Sequence, residues 1–346
     1  MNIVTKTWLS DSYKKDREAI KTEDLIFVCP GGSIAYGTNT EDSDVDIRGV
    51  ILEPKSAIIG LDNFEQYESR NTDTVIYGFK KLINLLINCN PNVIEILGNN
   101  LDEYMFGSNK DIGLQLINNV DMFLSQRAIG SFGGYANQQL RRLINAIGRE
   151  RGTPEMQGTH TINSINHAWS VSGGIAERHL LLNEDIRFEF DSDENLVVVF
   201  KSRHVDFKTC SSSYAINTIQ ICSALSEVNN IVKSYDNLKH RNRKKSFEGL
   251  NKHASHLIRL YLMGIEILEH GTVTTKRTVE HDLLMSIRNG TYMNDDGGYK
   301  KEFFDIVKAY EVRFENAQKT TQLPKNPDMK RIQEFVMEVN QYNLRR

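Results

Sequence analysis

The chain of 346 residues has only four cysteines, Cys29, Cys89, Cys210 and Cys222. They are scattered, with no CxxC pair and no histidine at the spacing of a zinc site. A disulfide framework and a structural zinc are therefore not expected; buried free thiols in a reducing compartment are. Also lacking is any run of about 18 apolar residues, so no membrane-spanning helix is expected. The opening MNIVTKTWLSDSYKKDREAIK is charged where a secretory signal would be apolar, which points to a cytoplasmic protein with no membrane partner. Neither sign of charge is in large excess: 42 basic and 45 acidic residues leave −3. The global balance thus advertises no nucleic-acid or membrane partner, and any such contact must be local. No internal repeat, low-complexity tract, Walker A lysine, zinc finger or aromatic RNA-binding signature occurs.

What is present is 40% hydrophobic content, enough to bury the core of one large domain or two. LIFVCP (25–30) is a short apolar run stopped by Pro-Gly-Gly and reads as a buried strand. DVDIRGVIL (44–52) and DTVIY (73–77) read as further strands, and GFKKLINLLIN (78–88) as a helix closed by Asn90-Pro91. NVIEILG (92–98) is one more short element. After about residue 116 the texture turns to long amphipathic segments: 121–148, 162–183, 214–234, 251–269, 299–320 and 327–343. RFEFDSDENLVVVF (187–200) interrupts them with two β-rich runs around a polar turn, a hairpin pattern.

The informative stretch is PGGSIAYGTNTEDSDVDIRGV (30–50). Alternate residues of a strand share a face, so Asp44 and Asp46 are expected to project together while Val45 and Ile47 enter the core. Two carboxylates so close repel unless a hard cation lies between them. Mg²⁺ suits such a site because it takes few protein oxygens, together with waters and substrate phosphates. The Gly31-Gly32-Ser33 turn lets the backbone approach a phosphate and adds a hydroxyl donor. Both halves fit one ligand, a metal-bound triphosphate. A metal that activates the nucleophile needs a third acid, and Asp73, heading the next strand, is placed to reach Asp46.

These residues carry a family resemblance. Gly32-Ser33 through Asp44-Val45-Asp46 resembles the nucleotidyltransferase signature of the DNA polymerase beta superfamily. The longer GGSIAYGTNTEDSDVDIRGV, with Tyr36, Gly37, Arg48 and Gly49, is similar to the branch associated with RNA repair pathways. DTVIYGFKKLINLLINCNPNVIEIL resembles the next block of that branch through Asp73, Lys81, Asn90-Pro91 and Glu95, although Gly78 stands where an acid is expected. Segments 123–143 and 252–271 resemble later helical blocks; about 185–245 resembles nothing identifiable. The resemblance implies transfer of a nucleoside monophosphate from an NTP to a hydroxyl, with Mg²⁺ (or Mn²⁺ in its place). By analogy Asp44 and Asp46 would hold both metals and Asp73 the catalytic one, with Asp73 also aiding as general base. Gly32 and Ser33 would hold the triphosphate, and Tyr36 and Arg48 would join the nucleotide-binding set.

The expected fold is α+β: a small mixed sheet flanked by helices (1–115), then a mostly helical domain with one hairpin (116–346) that closes the cleft and binds the acceptor. Lys252, His256 and Arg259, at i, i+4 and i+7, share a helix face that would look across at the triphosphate; the alternative is an ordinary solvated face. Lys81 would neutralise the leaving pyrophosphate, though neighbouring Lys80 shows that lysines are common on that surface. Glu95, among apolar residues, is expected to pair with a cation. The basic run 239–245 reads as a solvated loop, and His160, His167, His179 and His253 as structural. The acceptor is expected to be RNA, with a protein side chain or a second nucleotide as alternatives, and a non-catalytic nucleotide- or RNA-binding scaffold as the reading outside enzymology.

Overall fold

A strand whose six consecutive residues are all buried is covered on both faces. LIFVCP is such a strand, β1 (Leu25–Pro30). β2 (Ile47–Ile51), β3 (Gln66–Ser69), β4 (Thr74–Gly78) and β5 (Met105–Phe106) complete a five-stranded sheet in the order β3-β4-β2-β1-β5. β2 and β4 run parallel, and the remaining neighbours are antiparallel, so the sheet is mixed as expected. A parallel pair needs a crossover; residues 52–73 provide it, carrying α4 (Lys55–Ile59) and β3. Earlier elements are α1 (Ile3–Trp8), α2 (Lys14–Ala19) and α3 (Gly32–Ala35). Val4, Trp8, Tyr13 and Ile20 pack with Leu25, Val28, Ile47, Ile51 and Ile76, so the N-terminal helices cover one face of the sheet.

The computed structural model describes residues 1–41, 43–151, 186–190, 196–200, 246–295 and 298–346. Segments 162–183 and 214–234, the basic run 239–245, and His160, His167 and His179 lie outside the described residues.

The helix expected at 78–88 is α5 (Phe79–Ile87), which buries Phe79, Leu82, Ile83 and Leu86. Its N-cap, Gly78, has no side chain to satisfy the first amides. Glu53 does so instead, its Oε1 accepting the Lys80 N–H at 2.5 Å. A Cβ at position 78 would lie 2.9 Å from that same oxygen. The Glu53 carboxylate therefore occupies the space that a side chain at 78 would enter. Asn90-Pro91 opens a new helix, α6 (Pro91–Ile94): the Asn90 side chain accepts the Asn92 N–H at 3.0 Å, and proline occupies the first turn. A 3₁₀ turn (Glu95–Gly98) and α7 (Lys110–Asn118) follow.

The long helices are α8 (Arg127–Arg151), α9 (Phe247–His270), α11 (Lys301–Thr320) and α12 (Met329–Arg345), with the short α10 (His281–Arg288) between α9 and α11. Segment 121–148 begins as a 3₁₀ turn (Val120–Phe123) before α8, and α10 has no counterpart among the expected segments. At Gly264 a Cβ would lie 2.8 Å from Phe314 and 3.1 Å from Phe132, so only glycine permits this approach. α12 returns to the sheet region, where Phe335 meets Phe79 edge to face at 5.6 Å and the Asn343 amide donates to the Glu53 carbonyl at 2.8 Å.

The chain groups into two compact units, residues 1–143 with 247–346, and residues 144–246. Residues 116–143 and 247–346 thus pack in the same unit as 1–115. In the second unit, β6 (Ile186–Phe190) and β7 (Leu196–Phe200) pair antiparallel, with Ile186 opposite Phe200, as the hairpin pattern requires. Among the described residues no helix is long and apolar enough to cross a membrane, and Cys29 and Cys89 are buried free thiols.

Candidate active site

The parallel register of β2 and β4 pairs Ile47 with Thr74, which puts Asp46 and Asp73 side by side one residue before the paired ends. Their carboxyls share a hydrogen bond. Burial first, then this bond, raises the Asp46 pKa to about 7, while the same bond holds Asp73 below the usual carboxylate range. In the protein without metal, the pair therefore holds a proton that it loses as the pH rises past about 7, and ionised Asp73 is the weaker base of the two. Asp73 also sits at φ 45°, a left-handed conformation that aspartate tolerates better than most residues.

Arg48 neutralises the pair. Its Nη1 donates to the main-chain carbonyls of Ile47 at 3.0 Å and Asp73 at 2.5 Å. Its Nη2 lies 3.4 Å from Asp73 Oδ1 and 4.0 Å from Asp46 Oδ1. The glycine turn packs directly on this arrangement. The Gly31 N–H donates to the Asp46 carbonyl at 2.9 Å, and Gly32, at φ 56°, faces the Asp46 carboxylate so closely that a Cβ would fall 1.7 Å from Oδ2. Ser33 follows on α3, half-buried. Glycine at 32 is thus required twice over, by its dihedral angle and by the acid beside it.

The expected strand over 44–52 is shorter than its pattern: β2 starts at Ile47, so Asp44 and Asp46 precede it. The Ser43 hydroxyl accepts the Thr40 N–H at 2.8 Å, and the Ser43 N–H returns to the Thr40 carbonyl at 3.1 Å. Such local bonds compete with strand pairing and hold the segment as a turn. Asp44 is exposed and Asp46 half-buried, while Val45 packs against the core and Ile47 is fully buried. Among the described residues, no three His, Cys, Asp or Glu side chains stand close enough to hold one metal ion. The assembled element is the Asp46–Asp73 pair, which fits Mg²⁺ chemically: it offers hard carboxylate oxygens, and Mg²⁺ is commonly held by one or two carboxylates plus waters and phosphates.

Other expected site residues lie elsewhere. Tyr36 is buried, its hydroxyl donating to Glu95 Oε2 at 3.1 Å. The Arg259 guanidinium lies 3.5 Å over the Tyr36 ring and 3.6 Å from Glu95 Oε2. Glu95 thus has the cation partner expected of it, and burial raises its pKa. The stripe on α9 is graded rather than uniformly exposed: Lys252 is at the surface, paired with Glu248 at 3.0 Å, and Arg259 is buried. Burial, with Arg259 next, pushes His256 down to about 3, so it is neutral. His253 Nδ1 lies 2.5 Å from the Gln139 amide, a structural contact. Lys81 is in the first turn of α5, beyond the C-terminal end of β4, and pairs with Glu65 at 2.8 Å. Asp73 precedes the other end, and a five-residue strand spans about 17 Å; Lys81 is not brought to the acids.

The sequence reading overlooked α10. His281 Nε2 meets the Gly37 carbonyl at 3.0 Å, and buried Arg288 donates to the Ser43 hydroxyl at 3.0 Å, bringing a second guanidinium beside the turn that carries Asp44. HDLLMSIRNG ends in Asn-Gly, a helix-stop signal that marks the element but not its contact.

The mixed sheet, with acids at adjacent strand ends faced by a Gly-Gly-Ser turn, is the arrangement that the resemblance of this segment leads one to expect. The family model described as the RNA repair pathway DNA polymerase beta family (RlaP) matches residues 11–156, so that segment, somewhat less than half of the chain, is similar to this family. No curated protein and no solved structure matches the chain.

Proposed function

We propose that the chain is a Mg²⁺-dependent nucleotidyltransferase that moves a nucleoside monophosphate from an NTP to a hydroxyl, with an RNA 3′ end as acceptor. The observation that carries this reading is the Asp46–Asp73 pair, joined at the ends of two parallel strands beside Gly32. Bound Mg²⁺ would polarise the phosphates and lower the pKa of the attacking hydroxyl. Asp46 and Asp73 would hold it, with Asp44 turning in from solvent, and the proton now shared by the pair would leave. Gly32 and Ser33 would face the triphosphate, and Arg48 would move from neutralising the acids to contacting phosphate. In the transfer, the acceptor oxygen bonds to the α-phosphorus, the bond from that phosphorus to the bridging oxygen breaks, and pyrophosphate departs. RNA is preferred over a protein side chain or a second nucleotide because the matching family is named for RNA repair.

The test is a transfer screen with all four α-labelled NTPs and Mg²⁺ against total RNA and total protein. Labelled RNA that disappears in Asp46→Asn supports the proposal. Label on protein or free nucleotide alone overturns the acceptor. No label anywhere, with nucleotide binding unchanged in Asp46→Asn, favours a scaffold.

A further inference from the structure

Each acid of the pair follows a residue whose carbonyl meets the same hydroxyl. The Tyr13 side chain is buried and rises through the sheet face, packed beside Trp8 with ring centroids 6.1 Å apart. Its Oη lies 3.1 Å from the Val45 carbonyl and 3.1 Å from the Thr72 carbonyl. A phenol has one proton, and two acceptors at equal distance describe a shared, three-centre hydrogen bond. Val45 precedes Asp46 and Thr72 precedes Asp73. Because the peptide unit is planar, fixing a carbonyl also fixes the Cα of the next residue. We propose that Tyr13 is a positioning residue, its hydroxyl setting the separation of Asp46 and Asp73 by tethering the peptide groups in front of both.

The surroundings support a device of this kind rather than a packing accident. β2 and β4 are hydrogen-bonded only from Ile47 and Thr74 onward, so ladder pairing stops one residue short of the acids. Two carboxylates at that frayed end push each other apart once both are ionised. On the Asp73 side the turn is held by a second buried group: Asp16 accepts from the Tyr67 hydroxyl at 2.7 Å and the Thr72 hydroxyl at 3.0 Å. Asp16 grips Thr72 alone, whereas Tyr13 reaches both segments. Arg48 also bridges them, but from the site side, where an incoming phosphate would compete for it. Tyr13 approaches from the core and keeps its hold whatever occupies the cleft.

The inference rests on Asp46 and Asp73 as the metal-holding acids, so the experiment separates the two ideas. Mn²⁺ binding to the full chain is titrated by electron paramagnetic resonance for wild type, Tyr13→Phe and Asp46→Asn, alongside thermal unfolding and steady-state transfer. Tyr13→Phe keeps the ring and removes one oxygen, so the fold should survive. The expected result is Mn²⁺ affinity weakened about five- to tenfold, the loss of about one hydrogen bond's worth of preorganisation, with kcat lowered and the NTP KM nearly unchanged. Unchanged Mn²⁺ affinity in Tyr13→Phe, with or without a lower Tm, overturns the positioning role and leaves the site assignment standing. Mn²⁺ affinity equal in wild type and Asp46→Asn overturns the site assignment, and the positioning role with it.

Discussion

Two clusters of charge lie within the first unit, built from the same kinds of residue and balanced differently. Around Glu95 one carboxylate meets one guanidinium, from Arg259, and one tyrosine hydroxyl, with Tyr36 and Arg259 buried and Glu95 partly so. Around Asp46 two carboxylates, with exposed Asp44 close by in the chain, share the single guanidinium of Arg48. The first balances its charge, one cation against one anion, although Arg259 Nε is buried without a hydrogen-bond partner among the described residues. The second has more negative charge than the protein neutralises, and it meets the deficit with a proton on Asp46. A cluster that balances itself holds helices together; one that does not would be relieved by a cation from outside, as the proposed function requires.

The sharpest way to break that contrast is to neutralise one member of each cluster. Asp46→Asn should abolish transfer, by more than about a hundredfold, because a carboxylate oxygen that would hold the metal is gone. It should leave the thermal midpoint unchanged or higher, since the amide can donate to Asp73 in place of the shared proton and one strained acid has disappeared. Calorimetry and a transfer assay on one preparation check both halves. A large stability loss would mean that the acid pair is structural after all.

Arg259→Met should do the opposite. It strands Glu95 in a site where burial already raises its pKa, and breaking such a pair costs about 3–5 kcal/mol. Denaturant unfolding measures the loss, and the double variant with Glu95→Gln should recover much of it. Full recovery of stability with transfer still absent would move Arg259 from the structural cluster into the site.

His256 tests the boundary between the clusters. Its pKa is depressed to about 3 by burial, with Arg259 second, whereas an unfolded histidine titrates near 6.5. Below about pH 6.5 the unfolded chain binds a proton that the folded chain refuses, so this contribution to stability is present at neutral pH and is lost progressively as pH falls toward 3. Stability curves for wild type and His256→Gln should differ in that acid window and run parallel above pH 7. Parallel curves throughout would show that His256 opens to water.

The contrast was partly legible in the sequence, and the reason differs by residue. Alternation and apolar runs marked β1, β4, α5 and the long helices, because buried faces impose their period on the chain. Asp46 and Asp73 could be paired in advance because adjacent strand ends leave few other places for them. The end of β2 was not legible: Ser43 and Thr40 bond to each other locally and override the alternation that runs on through Asp44. Arg259 and Lys252 share one helical face, yet one is buried and one exposed, because burial along a helix depends on what the next element covers. Tyr13, Glu53 and Arg288 act across long sequence separations, and no local pattern announces a contact made by folding alone.

Lys81 gives the smallest expected effect and sharpens the comparison from outside both clusters. It matches the family pattern and stands three residues after the end of β4, so a sequence reading puts it on the leaving pyrophosphate. In the fold it is a surface ion pair with Glu65, at the far end of β4 from Asp73. Water screens such a pair on both sides, and removing it should change little. Lys81→Met is therefore expected to alter kcat/KM for NTP by less than about twofold at physiological salt. A tenfold fall confined to kcat, with pyrophosphate inhibition relieved, would place the lysine on the leaving group and require α5 to move when nucleotide binds.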